Sequence, residues 1–283
     1  MNYRHAFHAG NFADVIKHAA LARILVQLRG KERGFRVIDT HAGAGLYDLA
    51  SPEASRTGEW REGIGRLTEA RLSPDVQALV APYLAAVAAT NAGTELRRYP
   101  GSPLIALNLM RPQDRLVACE LEPDAATALA ANLRHDARAS AVAMDGWTAL
   151  NAYVPPRERR GVVVVDPPYE DMNEFAQLAD AVAGAHRKWA TGIFLLWYPI
   201  KDRAGPDRLA GALRRGGIGK ILRAELELAP GGEPGRLGGA GLIVVNPPWR
   251  LADELAQLLN ELPTVFRPEA GGRAKVDWIA GAS

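Results

Sequence analysis

Two stretches end a buried-looking apolar run on a polar residue, two prolines and an aromatic: VVVVDPPYE at 162–170 and LIVVNPPWR at 242–250. Proline lacks an N–H and has a fixed φ, so Pro167 and Pro168 form a rigid turn that offers carbonyl oxygens without competing donors. Such a turn suits a donor-rich guest. The two N–H groups of an exocyclic amine can go to the Asp166 carboxylate and to a proline carbonyl, that of Pro167. Held this way the nitrogen becomes more tetrahedral, its lone pair can attack an electrophile in line, and Asp166 can take up the released proton. Tyr169 offers a flat face on which a base can stack once it leaves its helix or loop.

A second group of residues has the types needed to hold a nucleoside. DTHAGAG, 39–45, places two glycines where the chain leaves a strand, and glycines there let the backbone approach a ligand closely. The match to a nicotinamide-binding turn, which would carry a ribose-binding acid about 20 residues on, is poor, because His41 stands where a first glycine would be and the next strand lies far away. A glycine-rich turn without a ligand remains the bland alternative. In ACELEP, Glu120 or Glu122 falls at a strand end where a carboxylate can accept two ribose hydroxyl protons. Asp145-Gly146, after the next strand, is placed to meet an adenine edge. Acidic strand ends following a glycine-rich turn suit S-adenosylmethionine, which carries a ribose and an adenine but no phosphate. Its sulfonium methyl group is the electrophile the amine would need.

The elements that must position these groups are legible from periodicity. Strand-like runs begin near residues 35, 115, 140, 161, 192, 220 and 241, and helical patterns at 14–29, 124–134 and 174–189 lie among them. Alternating strands and helices imply crossover connections, a mainly parallel sheet and helices on both faces. The last two runs are joined by a short connection, PGGEPGRLGG, which favours an antiparallel hairpin. Between residues 45 and 115 no convincing strand occurs, and 73–90 reads as an apolar helix. An insertion of two or three helices explains this better than a structureless loop.

Topology separates the two double-proline turns. In a doubly wound sheet, ligands lie beyond the carboxyl ends of the strands at the point where strand order reverses. DTHAGAG follows the first strand and DPPY the fourth, so the two should meet. NPPW follows the antiparallel strand and should emerge at the other edge, which makes Asn246 to Trp249 a structural stop.

Composition narrows the class. The 283 residues are 48% hydrophobic and 23% charged, as in an ordinary globular protein. Net charge is +2, and the basic residues are 28 Arg against 6 Lys, which agrees with an anionic partner and equally with an arginine-rich genome. The pairs Arg97-Arg98 and Arg214-Arg215 and the run at 157–160 are candidate phosphate contacts, although charge clusters are more often solvated faces. The single cysteine, Cys119, reads as a buried inert thiol. No run of about 18 apolar residues or basic-then-apolar leader occurs, so a cytoplasmic protein without a membrane span is expected. His5, His8, His18 and His41 come early, but no Cys or paired acid completes a zinc-like spacing, and no metal is expected.

D-P-P-Y resembles the amino-methyltransferase signature (D/N/S)-P-P-(Y/F/W). With NYRHAFHAGNFADVIKH, DTHAGAG, YPGSPL, LWYP and VVNPPW, nearly the whole chain is similar to the bacterial 23S ribosomal RNA adenine-N6 methyltransferases of the RlmJ type. The resemblance implies an α/β fold, a Rossmann-like class I methyltransferase sheet of seven strands with the last antiparallel. It implies a methyltransferase domain over 1–47 and 101–283 and a small helical insertion subdomain over 48–100. His18, His41, Ser102, Glu120, Asp145 and Gly146 would line the S-adenosylmethionine site, with Lys17 assisting. Asp166 would accept the proton, and Tyr3, with its neighbour Arg4, would lie near the ribosomal RNA substrate together with Pro167 and Tyr169. Without the resemblance His18 reads as a helix-surface histidine and Ser102 as a helix N-cap. No obligate protein partner is evident. Adenine in DNA or a protein glutamine side chain would fit the same turn, and a catalytically silent RNA-binding protein is the alternative of another class.

Overall fold

The computed structural model describes residues 5–171, 173–228, 237–269 and 271–281. Helix α1 (Phe12–Arg29) starts two residues before the periodic pattern suggests, because the Asn11 side chain caps it by accepting the Asp14 N–H. Strand β1 (Arg36–Asp39) follows, then β2 (Leu46–Asp48), α2 (Pro52–Thr57), α3 (Arg66–Glu69), α4 (Pro74–Ala89), β3 (Arg98–Pro100) and α5 (Ser102–Leu109). The rest alternates: β4 (Arg115–Glu120), α6 (Pro123–Leu133), β5 (Ala139–Ala143), α7 (Gly146–Tyr153), β6 (Gly161–Val165), α8 (Glu174–Lys188), β7 (Ile193–Ile200) and α9 (Ala204–Arg215). Strands β8 (Ile221–Glu227) and β9 (Gly239–Val245), helix α10 (Leu251–Phe266) and strand β10 (Arg273–Ala280) complete it.

The main sheet has eight strands in the order β10-β8-β9-β7-β6-β1-β4-β5. Strands β7, β6, β1, β4 and β5 are mutually parallel, and β9 runs antiparallel between β7 and β8. All seven expected strands are present, and the hairpin lies where its short connection puts it. The expectation of seven falls one short. Strand β10 adds an antiparallel edge against β8, and its residues RAKVDWIA are half exposed and carry three charges. Such an edge strand lacks the apolar run that marks the others.

The four valines of β6 are all buried, and they divide between two cores. Val162 and Val164 pack on the side of α1, α4, α5 and α10, while Val163 and Val165 face α7, α8 and α9. A strand covered on both faces needs an unbroken apolar run, and this explains why VVVV reads without alternation. Helix α8 buries Leu178, Ala179, Val182 and Ala185, one face at helical spacing.

The segment after β1 holds α2, α3 and α4 as expected, and also the short pair β2 and β3, which the sequence did not suggest because each is three residues long. Helix α4 buries Val76, Val80, Tyr83 and Val87 in the same core as α1. Among the described residues, no helix is long and apolar enough to cross a membrane.

Candidate active site

A cavity of about 610 Å³ opens where the carboxyl ends of β1, β4, β5 and β6 converge. Strand β1 lies between β4 and β6, so this is the point where strand order reverses. Gly43 and Gly45 adopt φ of 59° and 78°, the left-handed conformation that glycine takes without steric cost. A Cβ on Gly43 would fall 2.1 Å from the Tyr47 hydroxyl oxygen. The turn is held by the next strand: Glu120 accepts the Gly43 N–H with Oε2 at 2.8 Å, and the Leu121 and Glu122 N–H groups with Oε1 at 2.8 Å each. Of roughly four lone-pair positions on a carboxylate, three are therefore occupied and one is open to a further donor. Glu122 caps α6 instead, accepting the Ala125 N–H at 2.6 Å.

Asp145 caps α7 by accepting the Thr148 N–H at 2.8 Å with Oδ2, which leaves Oδ1 clear. The buried Gly146 after it has no room for a side chain, since a Cβ there would lie 2.5 Å from the His41 ring and from the Thr40 carbonyl oxygen. His41 shares a hydrogen with the Thr40 hydroxyl at 2.8 Å and meets the edge of Trp147, ring centres 5.3 Å apart. Burial lowers the His41 pKa to about 4, so the ring is neutral near pH 7. Ser102 is buried and opens α5 as its first residue; the capping position belongs to Gly101, one residue earlier than the sequence suggests.

Across the cavity stands a buried ionic chain. Lys17 forms ion pairs with Asp14 at 2.8 Å and with Asp166, and its side chain is 4% exposed. Burial opposes its charge, but the two carboxylates outweigh that and hold its pKa well above the usual range. Burial likewise opposes ionisation of Asp14, yet His5, Lys17 and His18 hold it well below the ordinary carboxylate range. Asp14 also accepts the Gly10 N–H at 2.9 Å and a hydrogen from His5 at 3.0 Å, and so fixes the segment entering α1.

His18 is not on the helix surface. It is 1% exposed, hydrogen-bonded through Nδ1 to the Tyr99 hydroxyl at 2.7 Å, and burial lowers its pKa to about 3. Asp39, at the end of β1, is also buried, and its carboxylate oxygens have no hydrogen-bond partner among the described residues. Burial raises its pKa to about 6 against the pull of nearby Ser102 and Lys17.

Lys17, His18, His41, Ser102, Glu120, Asp145, Gly146, Asp166 and Pro167 thus line one cavity, as does Pro168. Tyr169 is not among the lining residues. Its hydroxyl donates to the Trp197 carbonyl at 2.7 Å, and its ring packs 4.8 Å from Phe175 and 5.8 Å from Trp197. Tyr3 and Arg4 lie outside the described residues. The chain pattern assigned no role to Asp14, Asp39, Tyr99 or Trp147. Asp14 had a signal: positions 14, 17 and 18 fall on one helical face. Tyr99 stands in the YPGSPL motif, but nothing along the chain links it to His18, 81 residues away. Among the described residues, no cluster of His, Cys, Asp or Glu has the geometry to hold a metal ion.

Residues 32–280 match the family described as Ribosomal RNA large subunit methyltransferase D, RlmJ. The chain is 40% identical over 279 residues, 99% of each sequence, to Ribosomal RNA large subunit methyltransferase J of Escherichia coli. It is 40% identical over 280 residues, again 99% of each, to the protein of the same name from Haemophilus influenzae. Its fold superposes on the crystal structure of a Legionella pneumophila protein with a TM-score of 0.87 and 34% identity, covering 95% of this chain and 98% of that one. A DPPY turn meeting a glycine-rich turn at the sheet's reversal point, together with likeness over the full length, places this chain in the RlmJ family of large-subunit ribosomal RNA methyltransferases.

Proposed function

We propose that the chain transfers a methyl group from S-adenosylmethionine to the exocyclic N6 of an adenine in 23S ribosomal RNA. One observation carries the reading: Asp166 and the two prolines open into the same cavity as the Gly43–Glu120 turn, so amine and methyl donor can meet.

The lining fits that donor. Asp166, Glu120, Glu122, Asp145, Glu170 and Glu174 face the cavity, and Lys17 is its one lysine or arginine among the described residues. The charge of Lys17 is already matched by Asp14 and Asp166. Such a lining repels a phosphate-bearing dinucleotide and favours a sulfonium nucleoside. When bound, S-adenosylmethionine supplies an electrophilic methyl group. Glu120 has one lone-pair position left for a ribose hydroxyl, the free oxygen of Asp145 suits an adenine amine, and Gly146 keeps His41 and the backbone close to the base. Ser102 and His18 complete the wall, and both imidazoles, being neutral, add no positive charge beside the sulfonium.

Asp166 holds the substrate amine by an N–H and directs its lone pair. Lys17 holds that carboxylate in place through their ion pair. Once the nitrogen carries a fourth bond its N–H is strongly acidic, so even a carboxylate paired with Lys17 can take the proton. Pro167 supplies the second acceptor for the amine, and Tyr169, packed on Trp197 and Phe175, follows in the same turn as the residue on which the base would stack. Tyr3 and Arg4 extend the substrate contacts. The catalytic unit comprises 1–47 and 101–283, with 48–100 inserted on it, working in the cytoplasm on RNA.

The test is methyl transfer from labelled S-adenosylmethionine to ribosomal RNA from cells lacking the gene, with DNA and a glutamine-containing protein as competing acceptors. Label in one adenine of 23S RNA is expected. Label in DNA or protein would move the substrate, and failure to bind the cofactor in calorimetry would revive a silent RNA-binding protein.

A further inference from the structure

Trp249 is 88% exposed, the most exposed large hydrophobic side chain among the described residues. It sits in the second double-proline turn, at the edge of the sheet opposite the cavity. That turn is rigid. Asn246 donates through Nδ2 to the Ala190 and Gly192 carbonyls at 2.9 and 2.8 Å, its N–H goes to the Lys220 carbonyl at 3.0 Å, and Leu251 N–H closes on Pro248 O at 3.0 Å. A bare indole held on a fixed support loses little conformational freedom when something stacks on it.

The surroundings of Trp249 are cationic. The Arg250 N–H donates to the Gln27 side chain at 3.3 Å, which sets the turn beside the end of α1 and the loop RGKERGF that follows. In that loop Arg29, Lys31 and Arg33 are exposed, as are Lys220 and Arg250, and none of the five is in an ion pair with a described residue. The loop is stapled from beneath: Arg111 donates to the Arg29 and Lys31 carbonyls at 3.2 and 2.8 Å, and Arg160 donates to the Arg33 carbonyl at 2.7 Å. The side chains of Arg29, Lys31 and Arg33 are therefore left to solvent while their backbone is fixed. Of the nearby acids, Asp114 is paired with Arg111, Glu158 with Arg36 and Glu254 with Arg23, while Asp253 in the first turn of α10 is exposed and offsets one of the five cations. Glu32 is the one acid of the loop.

We infer that this edge is a second RNA-docking surface, on which Trp249 stacks against a base and the Arg29–Arg33 loop, Lys220 and Arg250 hold phosphates. An aromatic platform among unpaired cations is the arrangement that binds single-stranded nucleic acid without reading its sequence. A polyanionic partner matches the charge, and an apolar protein partner would leave it uncompensated. The surface rests on the reading of RNA as substrate and extends it. Strands of five to eight residues separate the two edges by roughly 20 Å. A hairpin with a stem of only a few base pairs that presents its adenine at the cavity is shorter than this separation and does not reach the far edge, whereas a domain-length stretch of 23S RNA does.

The experiment compares Trp249→Ala and the triple variant R29Q/K31Q/R33Q with the unaltered protein. Binding is measured to a domain-length 23S fragment and to a short adenine hairpin over a range of salt. Trp249→Ala should weaken the long RNA by about tenfold. The triple variant should lower the slope of log affinity against log salt by about two. Methylation of the short hairpin should stay within twofold in both. Affinity and salt slope at the unaltered values for the long RNA would overturn the surface, as would equal losses on hairpin and fragment. If the unaltered protein methylates no RNA, the proposed function fails, and the binding comparison still decides this surface.

Discussion

Asp166 and Asn246 each follow the last valine of a buried strand and each precede Pro-Pro and an aromatic, yet Asp166 faces a cavity beside Lys17 while Asn246 ties two loop carbonyls to the base of β7. The difference is strand direction. β6 is parallel to β1 and delivers its end to the reversal point, whereas β9 pairs Val245 with Phe194, at the start of β7. The backbone is bent in both places, and differently. In the far turn the residue at φ 52° is Asn246, a type that tolerates the left-handed region. In the cavity turn it is Tyr169, for which that conformation is uncommon and costs of order 1 to 3 kcal/mol. Two hydrogen bonds fix it there, its N–H to Glu174 at 2.5 Å and its hydroxyl to Trp197. Similar letters thus build a strained, charged turn at one edge and a relaxed, neutral one at the other.

The comparison breaks most easily at the acid. Asp166→Ala should lower methyl transfer by roughly 10²- to 10⁴-fold with cofactor binding in calorimetry retained, while Asn246→Ala should leave turnover per folded molecule within about twofold. Equal losses in the two variants would erase the distinction. Next in size is Lys17→Met, which strands Asp14 and Asp166 as like charges around an apolar side chain. Urea unfolding should show a loss of roughly 3 to 5 kcal/mol, and a loss below 1 would mean that the ion chain contributes little to holding the site.

Asn246→Ala should destabilise by roughly 1 to 3 kcal/mol, because it leaves two carbonyls without their donor and puts alanine, which tolerates the left-handed region less well than asparagine, at φ 52°. Asn246→Gly should recover part of this in the same unfolding assay, since only the hydrogen bonds are then lost. Recovery to the unaltered stability would show that backbone strain alone matters there.

The smallest effect is pH dependence, and it should belong to the cavity edge. His18 and His41 have folded pKa values of about 3 and about 4 against an ordinary 6.5, so their contribution is complete above pH 6.5 and is lost as pH falls toward the folded values. Asp39, raised to about 6, works the other way, contributing most at low pH and losing that contribution as pH rises through 6. With two histidines against one acid, stability should fall by roughly 1 to 2 kcal/mol between pH 6.5 and 5. His18→Gln should flatten this curve in parallel unfolding series, whereas Asn246→Gly should shift it without changing its slope. A slope unchanged in His18→Gln would remove that histidine from the account.

Much of this was readable along the chain. The strands were visible because five of them are covered on both faces and need continuous apolar runs, and the β8–β9 hairpin because its connection is short. The glycines of DTHAGAG stand out because a left-handed turn leaves few other choices. What escaped notice had weak local signals. β10 is a charged edge strand, β2 and β3 are three residues each, and Tyr99 reaches His18 only after α4 and α5 have packed on α1. Tyr169 could be assigned to the turn from its position, but not the packing of its ring, because Phe175 and Trp197 come from other elements.

By itself the sequence determined the order of strands and helices, the reversal of β9 and hence which double-proline turn meets the glycine-rich one, since all of these follow from periodicity, connection length and handedness. Only the tertiary structure decided that Lys17, paired with Asp14, reaches Asp166 149 residues away, that Glu120 rather than Glu122 braces the Gly43 turn, and that His18 is buried and neutral. The physical reason is that charge, pKa and hydrogen-bond partner depend on what stands within a few ångströms, and packing, not spacing along the chain, sets that distance.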